Sequence, residues 1–146
     1  MPSQEDKKMA VIEELICTMA DGSISFGNYR LSAKAKLDNF EHNGDLYKVK
    51  TYKEITKLER NGMFVYESVP GTTVLNLKAS EDAMSFRVEG PEDAQITLEL
   101  EDETEYRVFV DDVNVGHMKT NLGGKLNLSV ELTEGTPVAV KIEKVG

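Results

Sequence analysis

The sequence predicts an all-β chain folded as an antiparallel β-sandwich, with at most one short helix. Two observations predict it. Strand-like segments recur roughly every eight to twelve residues from Leu37 onward, separated by Gly, Pro, Asn and Asp. The second half also echoes the first at a spacing of about 60 residues, the kind of period that signals repeated small modules. Ser25-Phe26 returns as Ser85-Phe86, Leu37 as Leu98, and Tyr47-Lys48-Val49 as Tyr106-Arg107-Val108. Asn61-Gly62 returns as Gly123-Gly124, and Glu67, Gly71-Thr72 and Val74 return as Glu131, Gly135-Thr136 and Val138. Two readings of the echo stay open. One is internal duplication into two tandem β modules. The other is convergence, because strands and turns draw on few residue types.

The elements follow in chain order. Ser3-x-x-Asp6 could start a helix, and Ile12, Leu15, Ile16 and Met19 would fit one helical face. The echo favours a strand in Met9 to Ala20 instead, paired through Asp21-Gly22 with Ile24-Ser25-Phe26. Leu46 to Tyr52 alternates Tyr47, Val49 and Thr51 against Lys48 and Lys50. Tyr52 to Arg60 has Ile55/Leu58 spacing and mixed charge, and is the one internal candidate for a helical turn or two. Asn61-Gly62 turns into Met63 to Tyr66, and Pro70-Gly71 into Val74 to Leu77. Met84 to Val88 ends at Gly90-Pro91, and Ile96 to Leu100 alternates cleanly. Tyr106 to Val110 meets Val113 to Val115 through Asp111-Asp112, which reads as a two-residue hairpin loop. Leu122-Gly123-Gly124 leads into Leu126 to Leu132, and Val138 to Ile142 closes the chain.

A chain of 146 residues makes one ordinary domain, or two of about 60 to 70 that lean on each other. The expected organisation is an N-terminal β module over 1–71 and an acidic immunoglobulin-like sandwich over 72–146, packed together. No apolar run approaches the ~20 residues of a membrane span. The polar start and the single Cys17 argue against a signal peptide and a disulfide framework, and point to a cytoplasmic protein.

Charge is split along the chain. Residues 1–79 carry 11 Lys/Arg and 11 Asp/Glu, whereas residues 80–146 carry 6 and 15, so the net charge of −9 resides in the second half. Glu89 to Asp112 holds ten acids against Arg107 alone. Nucleic acid is therefore excluded as a partner of that half, because phosphate binding needs basic surface. Lys48, Lys50, Lys53, Lys57 and Arg60 form a local basic run opposed by Glu54 and Glu59.

Two resemblances add to this reading. Tyr106 to Gly116 and Thr120 to Leu126 resemble the strand–turn–strand of accessory β-sandwich domains beside bacterial carbohydrate-active catalytic domains. Gly44 to Thr51, Lys57 to Thr72 and Lys119 to Leu126 resemble small uncharacterised gut-bacterial proteins sometimes labelled endosialidase. The second resemblance carries no catalytic residue onto this chain. Sialidase chemistry uses an arginine triad with a Tyr/Glu nucleophile pair, and Arg30, Arg60, Arg87 and Arg107 are scattered over separate segments.

Candidate chemistry is sparse. His42 and His117 lie beside turn residues without zinc spacing, and Cys17 has no neighbouring base to activate it. Asp111-Asp112-x-Asn114 and the run Glu99 to Glu105 offer calcium oxygens, but read better as a hairpin turn and a solvated acidic segment. Gly123-Gly124 is a turn, not a phosphate loop. No cofactor and no catalytic residue are expected.

The remaining feature is aromatic. Tyr47, Tyr52, Phe64 and Tyr66 concentrate near Lys48, Lys50 and Lys53, with Phe64 and Tyr66 expected on one face of a strand. These residues read either as core or as an exposed aromatic platform rimmed by lysines. The leading expectation is a non-enzymatic protein-interaction or assembly module, self-associating head to tail or docking a protein partner. The alternative is a carbohydrate-binding accessory module.

Overall fold

A computed structural model describes residues 11–146. Among the described residues thirteen strands run in order: β1 Ile16–Thr18, β2 Ile24–Phe26, β3 Ala35–His42, β4 Asp45–Tyr52, β5 Ile55–Arg60, β6 Met63–Val69 and β7 Thr73–Ala79. They continue as β8 Ala83–Glu89, β9 Ala94–Glu99, β10 Glu105–Val110, β11 Val113–Lys119, β12 Lys125–Val130 and β13 Val138–Lys144. Among the described residues there is no helix. Two antiparallel sheets face each other, a seven-stranded one ordered β1-β2-β7-β8-β13-β10-β11 and a six-stranded one ordered β12-β9-β6-β5-β4-β3.

Tight turns set much of this order. Asn43-Gly44, Asn61-Gly62 and Asp111-Asp112 each join adjacent strands with both residues at positive φ, the geometry that matches strand twist in two-residue hairpins. The Ile16–Thr18 strand pairs with Ile24–Phe26 as the sequence predicts, Cys17 opposite Ser25. Residues 9 and 10 of that expected segment, and the Ser3-x-x-Asp6 helix start, lie outside the described residues.

The stretch from Tyr52 to Arg60 departs from the helical alternative. It turns at Lys53-Glu54 and continues as β5. Thr56 and Leu58 are buried while Lys57 and Glu59 are half-exposed, a period of two rather than 3.6. The Thr56 hydroxyl explains the preference. It donates to the Thr72 carbonyl at 2.7 Å, accepts from the Thr72 amide at 3.1 Å and meets Thr51 Oγ1 at 2.8 Å. A helix would leave that buried polar group without these partners.

The two sequence halves share both sheets. The first half supplies β1 and β2 to the larger sheet and β3 to β6 to the smaller, and the second half supplies the rest. One continuous core spans them. Its centre is Tyr66 of β6, whose ring meets Phe26 edge-on at 5.4 Å and Phe86 at 5.7 Å across the sandwich. The Tyr66 hydroxyl bonds Thr72 Oγ1 at 2.7 Å, and Ser68 Oγ meets the same atom at 2.7 Å. Among the described residues no buried side-chain nitrogen or oxygen lacks a partner.

The sequence echo maps only in part onto equivalent positions, and duplication is not confirmed. Ser25-Phe26 and Ser85-Phe86 both lie in the larger sheet, but Tyr47–Val49 is on β4 of the smaller and Tyr106–Val108 on β10 of the larger. Leu37 is exposed on edge strand β3, whereas its counterpart Leu98 is fully buried. Shared turn and strand chemistry accounts for such a pattern without common position.

Candidate functional site

The outer face of the smaller sheet carries the densest basic surface. Period-two alternation on β4 sends Tyr47, Val49 and Thr51 into the core and leaves Lys48 and Lys50 on the other side. On β5 the same rule turns Lys57 and Glu59 outward. Strand register then aligns three lysines. Lys36 of β3 is the direct partner of Lys50, and Lys50 is the direct partner of Lys57. Glu67 of β6 follows as the partner of Lys57.

Directly opposed side chains in a sheet have Cβ atoms about 4.5–5.5 Å apart, and like charges at that spacing destabilise the pairing. Two consecutive Lys–Lys pairs are thus an electrostatic burden on the fold. Little offsets it. Lys57 has an ion pair with Glu59 at 3.5 Å, while no carboxylate comes within ion-pair distance of Lys36, Lys48 or Lys50 among the described residues. Partial burial, followed by the charges of Lys34, Lys57 and Lys36, holds the Lys50 ammonium below the ordinary lysine pKa. Lys36, Lys48, Lys50, Lys57 and Glu59 surround a shallow depression of about 60 Å³. The arrangement can accept anionic groups, which would lower the mutual repulsion of the row.

The expected site residues separate in the fold. Lys48 and Lys50 belong to this face. Lys53 is exposed in the β4–β5 turn, where its N–H donates to the Leu31 carbonyl at 2.9 Å. Tyr47 is buried and Tyr66 is 0% exposed. The expectation that Phe64 and Tyr66 share a face is corrected by a β-bulge. Leu58 pairs with Tyr66, but Glu59 pairs with Phe64, so Val65 is the extra residue and the alternation reverses across it. Phe64 therefore faces outward, with Lys57 Nζ at 6.0 Å and Lys125 Nζ at 3.8 Å from its ring centroid. The aromatic platform is not formed, because Tyr47 and Tyr66 fill the core, Phe64 lies against Lys125 and the Tyr52 ring is met by Lys34 Nζ at 5.8 Å.

Lys36 is the member that reading the sequence as separate segments missed; Lys57 stood in the basic run, but without its place opposite Lys50. A signal for Lys57 was available. Had Lys53-Glu54 been taken as a two-residue turn, antiparallel register alone would have set Lys57 opposite Lys50. The Lys36 pairing depends on irregular geometry between Leu37 and Phe40, which no local pattern announces.

The other candidates have local partners. His42 Nδ1 meets Thr18 Oγ1 at 2.9 Å, and His117 Nδ1 meets Glu105 at 3.1 Å. Asp111 Oδ1 accepts the Ala139 N–H at 2.9 Å, fixing the hairpin against β13. Burial and then the charge of Glu14 push the Cys17 thiol pKa up, away from a reactive thiolate. Among the described residues no group of three or more His, Cys, Asp or Glu could hold a metal ion, and no helix is long and apolar enough to cross a membrane. No family model, curated protein or solved structure matches the chain.

Proposed function

We propose that this protein is a non-catalytic interaction module that docks an acidic protein surface on the outer face of its smaller sheet. The observation that carries this reading is the row Lys36–Lys50–Lys57, two like-charge pairs in direct register. Such a row opposes folding and is relieved when carboxylates from a partner settle between the ammonium groups. It sits on a chain of net charge −9, so attraction to an acidic partner must come from a local patch. Glycan recognition has weaker support, since Tyr47 and Tyr66 are buried and Phe64 is flanked by Lys125.

Fluorescence anisotropy with a labelled oligoglutamate peptide tests the reading at low salt. Lys36→Ala/Lys50→Ala/Lys57→Ala is expected to bind at least about tenfold more weakly than wild type. Lys141→Ala, altered on the larger sheet, is the control and should bind like wild type. Equal binding by wild type and the triple variant would defeat the reading.

A further inference from the structure

We infer that the acidic surface received by the lysine row is the Glu101–Glu105 end of a second copy of this chain. The inference rests on the proposed role of the row and names its partner. Two distant segments meet at that end. The Lys144 amide donates to the Asp82 carbonyl at 2.7 Å, its Nζ reaches Glu101 at 3.0 Å, and the Val145 amide donates to the Glu105 carbonyl at 2.9 Å. This gathers the β7–β8 turn and the β9–β10 loop around the end of β13. Glu81, Asp82, Glu101, Asp102, Glu103 and Glu105 are all exposed there.

The cations nearby are too few to balance them. Lys144 is held by Glu101, Lys119 stands opposite Glu105 across β10 and β11, and His117 pairs with the same Glu105. Neighbouring carboxylates hold the Lys144 ammonium above its ordinary pKa, the opposite of Lys50. Each copy thus carries one surface short of anions and one short of cations. The row lies on β3 to β5 of the smaller sheet, whereas the acidic end is organised by β13 of the larger. Their complementarity is satisfied between copies. Because the two patches differ, the contact is heterologous, and each added copy leaves one patch of each sign free to continue the chain or close a ring.

Light scattering of the full chain at about 20 mM and about 500 mM salt is the first arm, chosen because screening lengths differ severalfold between these conditions. Wild type should exceed the monomer mass at low salt in a concentration-dependent way and return to it at high salt. The second arm uses two charge-reversed variants, Lys50→Glu/Lys57→Glu and Glu81→Lys/Asp102→Lys, each checked for folding by circular dichroism. Each alone should stay monomeric, and their equimolar mixture should regain the larger mass. A wild-type chain that is monomeric at low salt at every concentration overturns the inference, as does assembly indifferent to either reversal. If the chain stays monomeric while the lysine row still binds oligoglutamate, the inference fails and the docking face stands. If oligoglutamate binding is also lost, both fail.

Discussion

Lys50 of β4 and Lys57 of β5 stand directly opposite each other in the ladder of the smaller sheet. With Lys36 on the other side, Lys50 is flanked by two like charges in register. This relationship separates the fold's requirements from those of the docking face. Replacing Lys50 by Thr keeps a good strand former and removes both repulsions. The variant should be more stable than wild type at low salt by about 0.5 kcal/mol, with the gain shrinking as salt is added. Urea melts at two salt concentrations check this, and lower stability at low salt would show that the row does not oppose folding.

The same pair sets an alkaline prediction. The folded-state pKa of Lys50 lies below its unfolded value, so the unfolded chain holds more protons in the window between them. Stability therefore rises with pH there as the ammonium discharges. The gap between Lys50→Thr and wild type should narrow as pH climbs toward the usual lysine value of ~10.4. Paired denaturant melts across the alkaline range give the measurement.

Tyrosine ionisation acts in the opposite sense. Burial first holds the Tyr66 phenol far above its ordinary pKa, against the pull of Thr72 and Ser68. Tyr29 is raised by burial and then by Glu89, to which its hydroxyl donates at 3.0 Å. A folded pKa above the unfolded one gives stability that is whole below ~10 and lost as pH rises through the folded value. In an ultraviolet phenolate titration, Tyr29 and Tyr66 should stay protonated until the fold collapses. Reversible ionisation of all five tyrosines in a folded chain would contradict their placement.

Tyr66 also tests the core. Tyr66→Ala removes the ring between Phe26 and Phe86 and should cost about 3–5 kcal/mol. Tyr66→Phe keeps the ring but removes one of the two hydroxyl partners of Thr72 Oγ1, at a cost of about 1–2 kcal/mol. Denaturant unfolding measures both. The folded Tyr66→Phe protein should bind oligoglutamate as wild type does, since the ring faces away from the lysine row.

Cys17 should be a slow thiol. Burial and Glu14 keep it protonated near neutral pH, so its reaction with iodoacetamide should be several-fold slower than that of the urea-unfolded chain. Equal rates in the two states would rule out the burial described.

The sandwich was legible because its turns and strands carry local chemistry. Asn43-Gly44, Asn61-Gly62 and Asp111-Asp112 tolerate positive φ, and the segments between them alternate. The shared core was not legible, since sheet order depends on which edges meet after collapse. β2 joins β7 past four intervening strands and β6 joins β9 past two, pairings that no periodicity encodes. Half of the docking face was visible as Lys48 and Lys50. The rest was hidden by two features of pairing, the Lys53-Glu54 turn that brings Lys57 beside Lys50 and the bulge between Leu37 and Phe40 that sets Lys36 beside it. A bulge adds one residue on one strand and reverses every inside–outside assignment beyond it.

The outer face of β3 to β5 is the proposed receiver of carboxylates. Amide chemical-shift mapping of the full chain titrated with oligoglutamate tests it most directly. Perturbations concentrated at Lys36, Lys48, Lys50 and Lys57 are expected, with β1 and β2 of the larger sheet unmoved. Perturbations centred on the larger sheet, or none at a concentration that saturates anisotropy, would contradict it.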